Sequence, residues 1–126
     1  MQIEKSTVLI TGANRGIGRA FAKAFLARGA QKVYAGARDP SKISLTGVTP
    51  IKLDVNSGAD VDAAAKLAKD VTIVVNNSGI ANLGSFMAED TEALLRSHLE
   101  TNVLGVLRMS RAFAPVLAGN GGGALK

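Results

Sequence analysis

Eight residues near the start of the chain, Thr11-Gly12-Ala13-Asn14-Arg15-Gly16-Ile17-Gly18, place three glycines between an apolar run and a helical one. A loop of this kind, leaving a strand and opening a helix, can receive a pyrophosphate. Gly12 permits a tight turn off the strand, and Gly16 lets backbone N–H groups approach a phosphate with no Cβ in the way. Gly18 lets the helix pack closely on the sheet. The helix itself offers unpaired N–H donors and a partial positive charge to an anion. Taken alone, the triplet also suits an ordinary strand-to-helix turn.

Three further places carry polar groups where chemistry could use them. Asp54 ends an apolar run, where a carboxylate could accept a hydrogen bond from an adenine amino group or simply cap a turn. Asn76 and Asn77 follow another run, where they could also be mere turn formers. Asn102 falls on an apolar stripe made by Leu95, Leu99, Val106, Met109, Phe113 and Val116. An amide on a buried face needs partners or costs stability, so a function is expected for it.

These segments resemble the short-chain dehydrogenase/reductase family. Thr11 to Gly18 matches the family's T-G-x-x-x-G-x-G loop at every fixed position, and Leu53-Asp54-Val55 is similar to its adenine-contacting element. Asn76-Asn77-Ser78-Gly79 is similar to its N-N-A-G motif, with serine in place of alanine. Thr101-Asn102-Val103-Leu104-Gly105 resembles the segment carrying its active-site asparagine. The resemblance covers almost the whole chain and implies a Rossmann-like fold binding a nicotinamide dinucleotide. The cofactor contacts expected from it and from the loop physics are Thr11, Gly12, Asn14, Arg15, Gly16, Ile17, Gly18, Arg38, Asp54, Val55, Asn77, Ser78 and Gly79. Asn102 is the one catalytic candidate, and no metal site is expected.

The cofactor's identity turns on the residues twenty positions past the glycines, where loops specific for NAD carry an acid for the ribose 2′-hydroxyl. Counting from Gly18 reaches Arg38, preceded by Ala37, and the first acid is Asp39, which Pro40 places in a turn. Arg15 and Arg38 could both reach a 2′-phosphate, for which the planar guanidinium fork is suited, although each could be a surface arginine. NADP(H) is therefore expected over NAD.

By the same resemblance a Ser–Tyr–Lys set, with tyrosine as general acid/base, should follow the Asn-bearing helix. No such set is found. The single tyrosine, Tyr34, stands four residues before Arg38 in a strand, which is the wrong place. The sequence thus reads as the cofactor-binding half of a carbonyl or alcohol oxidoreductase, truncated and inactive by itself, with its substrate unspecified. A stand-alone nucleotide-binding or interaction module is the alternative.

The elements that must position these residues follow from periodicity. Strands are expected at Ser6–Thr11, Val33–Ala37, Pro50–Val55 and Val71–Val75. Helices are expected at Arg15–Arg28, with Ile17, Phe21 and Phe25 on one face, at Ser57–Asp70 behind a capping box, and at Thr91–Ala118. Pro115 should bend or end the last of these. Asn120-Gly-Gly-Gly reads as a flexible linker into the start of another strand. The alternation implies a single α/β domain, a doubly wound parallel sheet of about four strands with flanking helices.

Composition narrows the setting. With 126 residues and 47% hydrophobic content the chain fits one globular domain. It has no cysteine, which removes disulfides and favours a reducing, cytoplasmic compartment. No apolar stretch is fit to cross a bilayer. The net charge of +5 raises nucleic acid as a partner, but no basic run with interleaved aromatics accompanies it, and a solvated surface is preferred. A homo-oligomer is expected on two grounds. Val71–Val75 would offer an unpaired edge, and Val103, Leu107, Ala114 and Leu117 form a second apolar face, unless the loop at Ile80–Met87 covers it.

Overall fold

The computed structural model describes residues 2–81, 84, 85 and 87–126. Strand β1 (Thr7–Ile10) lies at the centre of a parallel sheet, buried along its whole length. Its side chains alternate, so Val8 and Ile10 face one layer and Leu9 the other. The glycine loop leads into α1 (Gly16–Ala27), and the chain returns as β2 (Lys32–Ala37) beside β1 and then as β3 (Thr49–Lys52) beside β2. After α2 (Gly58–Leu67) it crosses to the opposite side of β1 as β4 (Ile73–Val75). Helix α3 (Thr91–His98), a wider π-type segment at Leu99–Leu104 and α4 (Gly105–Gly119) precede a last strand, β5 (Ala124–Leu125). The order is β3-β2-β1-β4-β5. Helix α1 covers one face, with Ala22 against Val8, Ile10, Val33 and Ile73, while α2 and α4 cover the other, with Met109 and Phe113 against Leu9 and Val74.

This is the expected doubly wound α/β fold, with five strands among the described residues in place of about four. The difference lies in the segment read as a flexible linker. Asn120 closes α4 by donating from Nδ2 to the carbonyls of Lys69 and Val71, at 2.8 and 2.9 Å. Gly121 and Gly122 then turn the chain through φ of 85° and 99°. A Cβ on Gly123 would stand 2.2 Å from the Thr72 carbonyl oxygen, so only glycine lets the strand approach β4. Strand β4 is consequently paired on both sides, and the expected unpaired edge does not exist.

Three other expectations change. On α1 the small residue Ala22 lies against the sheet and Gly18 against the glycine loop, whereas Ile17 is 71% and Phe21 42% exposed. Small side chains let the start of the helix come closer, with Ile17 and Phe21 turned outward, while Phe25 and Leu26 near its end pack against the core. Of the two effects expected of Pro115, to bend or to end the helix, the ending does not occur: α4 continues to Gly119, with Phe113 and Leu117 on either side of the proline buried in the core. The π-type segment adds width to the helix and shifts its phase. Thr101, Gly105, Met109, Phe113 and Leu117 therefore face inward, and Leu95, Leu99 and Asn102 do not. Leu117 thus belongs to the core rather than to a second apolar face, where Val103 and Leu107 remain exposed. The loop expected to cover that face lies partly outside the described residues.

Candidate functional site

The chain runs outward from β1 in both directions, so the ends of β1 and β4 part and leave a crevice at the carboxyl edge of the sheet. A cleft of about 380 Å³ occupies it. One wall is the glycine loop: Gly12, Asn14, Arg15, Gly16 and Ile17. Ala37 and Arg38 close one end, Asp54, Val55 and Asn56 form the floor beyond β3, and Asn77, Ser78, Gly79 and Ile80 form the wall beyond β4.

All the expected cofactor contacts line this cleft except Thr11 and Gly18. Thr11 is buried, and its hydroxyl oxygen accepts from the backbone N–H groups of Asn77 at 2.9 Å and Ser78 at 2.8 Å. It holds the two loops together from behind. Gly18 also acts from behind. A Cβ there would stand 2.1 Å from the Gly12 carbonyl oxygen and 2.5 Å from Asn77 Nδ2, so its packing partner is the loop itself rather than the sheet. Asn77 Nδ2 donates to the Gly12 carbonyl at 3.2 Å, which ties the end of β4 to the end of β1.

The arrangement fits a phosphate-bearing ligand. Gly12 and Gly16 have φ of 62° and 58°, and a Cβ on Gly16 would meet nothing within 4 Å, so the backbone there is bare toward the cleft. Helix α1 begins at Arg15 without any side-chain cap and without an acid in its first turn. Its first N–H groups are left for an anion. Arg15 and Arg38 are both exposed and line the cleft. Asp39 does not line it. Its carboxylate accepts from the Ser41 hydroxyl at 2.6 Å and the Ser41 N–H at 3.1 Å, which hold its carboxyl below the ordinary range. The first acid after β2 is therefore committed to its own turn.

On the floor, Asp54 both caps a turn and faces the cleft. One oxygen accepts from the Asn56 N–H at 2.9 Å, while the side chain lines the cavity. Helix α4 and the π-type segment before it brace this floor. Arg108, ion-paired with Glu100, donates to the Val55 carbonyl at 3.0 Å, and Thr101 exchanges hydrogen bonds with the Asn56 side chain at 3.0 and 3.2 Å. Neither contact is visible in the sequence, although Thr101 adjoins the singled-out Asn102.

Asn102 is exposed rather than buried on the apolar stripe, because of the phase shift at the π-type segment. It has the partners expected of it nonetheless. Its amide accepts from the Ile80 N–H at 2.8 Å and donates to the Ile80 carbonyl at 2.9 Å, as a neighbouring strand would. Through these two bonds it is tied to Ile80, which lines the wall of the cleft. Tyr34 points away from the site: its hydroxyl donates to Asp70 at 2.8 Å, at the opposite edge of the sheet. Among the described residues no group of three or more His, Cys, Asp or Glu could hold a metal, and no helix is long and apolar enough to cross a membrane.

The sequence pattern of the family described as short chain dehydrogenase matches residues 6–125. The human protein named short-chain dehydrogenase/reductase 3 is 33% identical over 90% of this chain and 41% of its own length. A solved short chain dehydrogenase from Burkholderia cenocepacia, in complex with NADP, is 42% identical with a TM-score of 0.92, over 99% of this chain and 53% of that one. The 3-ketoacyl-(acyl-carrier-protein) reductase from Brucella melitensis, complexed with NADH, is 33% identical with a TM-score of 0.81, over 95% of this chain and 53% of that one. The chain thus spans about half the length of these relatives.

Proposed function

The chain belongs to the short chain dehydrogenase family, and from that premise we propose that it binds NADP(H) and forms the cofactor-binding portion of an oxidoreductase acting on a carbonyl or alcohol. The observation that carries the choice of cofactor is the far end of the cleft. Arg15 and Arg38 line it, and the first acid after β2, Asp39, does not line the cleft and is engaged by Ser41. The open backbone at Gly16 and the uncapped start of α1 would hold the pyrophosphate, Asp54 would accept from the adenine amino group, and Asn77, Ser78 and Gly79 would flank the nicotinamide ribose. When bound, the nicotinamide supplies or takes up a hydride. The NADP complex of the Burkholderia cenocepacia relative supports this reading, and the NADH complex of the Brucella melitensis protein makes the comparison of the two cofactors the deciding one.

By themselves, residues 1–126 are expected to bind without turnover. Their single tyrosine is buried and bonded to Asp70, away from the cleft, and a general-acid step is typically worth about 10²–10⁴-fold. The chain forms one domain in this reading, and the lack of cysteine supports a cytoplasmic setting. A second copy of the chain is the proposed partner, through the exposed Leu99, Val103 and Leu107.

Calorimetric titration of NADPH and NADH, with Arg38→Asp beside the parent chain, tests the cofactor. Charge-assisted bonds to the 2′-phosphate should favour NADPH by roughly ten- to a hundredfold. Equal affinities, or a preference unchanged in the variant, would refute it.

A further inference from the structure

The net charge of +5 is not spread over the molecule. Between Glu4 and Asp39 the sequence holds seven cations, Lys5, Arg15, Arg19, Lys23, Arg28, Lys32 and Arg38, and no carboxylate. That stretch is β1, α1 and β2, the unit that carries the glycine loop. Lys32 is paired with Asp70. Arg15, Arg19, Lys23 and Arg38 have no ion pair among the described residues, whereas Arg96 and Arg108 elsewhere do. Arg15, Arg19 and Lys23 follow one another at steps of four along α1, so they form a ridge that starts at the lip of the cleft. Glu4 sits at the far end of the helix, its Cγ 3.7 Å from where a Cβ on Gly29 would stand.

We propose that this ridge collects the anionic dinucleotide from solution and delivers it to the cleft, so that Arg19 and Lys23 set the rate of arrival rather than the strength of holding. The proposal rests on the binding of NADP(H) argued above. The ligand carries a diphosphate, and its 2′-phosphate adds about −1.5 to −2 charges. A patch of one sign beside a cleft raises association rates by about 10- to 10³-fold, and salt removes the effect. Distance grades it. At a rise of about 1.5 Å per residue, Arg19 lies about 6 Å along the helix from Arg15, Lys23 about 12 Å and Arg28 about 20 Å. At about 0.1 M salt the Debye length is roughly 10 Å, so Arg19 counts fully, Lys23 partly and Arg28 little.

Arg28→Glu is therefore a control that changes net charge by the same amount as Arg19→Glu. Stopped-flow mixing of each variant with NADPH should show association slowed roughly 3- to 10-fold by Arg19→Glu, less by Lys23→Glu, and less than about twofold by Arg28→Glu. Dissociation should change by less than about twofold, and all the rates should converge near 1 M salt, where the Debye length is about 3 Å. Arg19→Gln, with the charge removed but not reversed, should fall between parent and Arg19→Glu, and thermal unfolding confirms that each variant is folded. Equal slowing by Arg19→Glu and Arg28→Glu, or rates indifferent to salt, would overturn the proposal while leaving cofactor binding intact. Failure of the parent chain to bind NADPH at any salt would overturn the binding itself and the ridge with it. If Arg19→Glu abolished retention of a DNA duplex and left NADPH association unchanged, the ridge would belong to nucleic acid instead.

Discussion

Replacing Thr11 by valine keeps the side chain's volume and removes one oxygen. That oxygen accepts two backbone N–H groups, from Asn77 at 2.9 Å and Ser78 at 2.8 Å, and the side chain is buried. Both donors would lose their partner without gaining another. An orphaned buried donor costs about 1–3 kcal/mol, and because Asn77 and Ser78 are only half-buried, water can recover part of that. The two together should destabilise the fold by about 2–3 kcal/mol, a large share of the roughly 5–15 kcal/mol typical of a domain. Thermal unfolding should fall by about 6–15 °C. Thr11→Ser keeps the oxygen and loses one methyl group, which costs about 1 kcal/mol. NADPH affinity should also fall in the valine variant, since the same two residues line the cleft. The reasoning is refuted if valine and serine variants unfold within about 0.5 kcal/mol of each other, a difference two lost acceptances cannot give.

Gly18→Ala sets a Cβ 2.1 Å from the Gly12 carbonyl oxygen, so the loop must move, and denaturant unfolding should show a loss of about 2–3 kcal/mol. Gly16→Ala meets open space on the cleft side and should cost cofactor affinity more than stability, leaving only the strain of φ at 58°, about 1–2 kcal/mol. Leu107→Glu should convert a self-associated chain to a 13.0 kDa species by light scattering, and a parent already monomeric at tens of micromolar would exclude that interface. Asp39 should titrate in NMR below the ordinary 3.8, because the Ser41 hydroxyl and then its N–H donate to the charged form. The stabilisation it gives is complete above the ordinary pKa and is lost as pH falls through the lowered one; Ser41→Ala should return the value toward 3.8.

What could be read in the sequence is what short stretches decide for themselves. Gly12 needs positive φ, Asp54 and Asn77 follow apolar runs, and each therefore marks a strand's carboxyl end, while Gly16 marks the start of α1. Since a parallel sheet gathers those ends along one edge, the cleft followed from the order of the elements. What could not be read depends on pieces distant in the chain. The reach of Arg108 to the Val55 carbonyl joins residues 53 positions apart, and Asn120 meets Lys69 across 51. Hydrophobicity alone turns Ile17 and Phe21 of α1 toward the sheet, while closeness of approach, which decides the matter, favours Ala22 against the sheet and Gly18 against the glycine loop. The phase of the long helix depends on a π-type segment that no residue pattern announces.

The missing cap on α1 has a consequence for the protein between ligands. A side-chain cap is typically worth about 1 kcal/mol, and Arg15 provides none. The first turn of the helix is thus left to fray, and a bound anion would fill the capping role itself. Occupancy would then be written into the mobility of a few amides. Hydrogen exchange at Gly16, Ile17 and Gly18 should slow on binding well beyond the slowing across the rest of α1, and a protease cutting near Arg15 should find its target only in the empty protein. A helix begun without its own cap reports, by how often its first turn opens, whether the site beside it is filled.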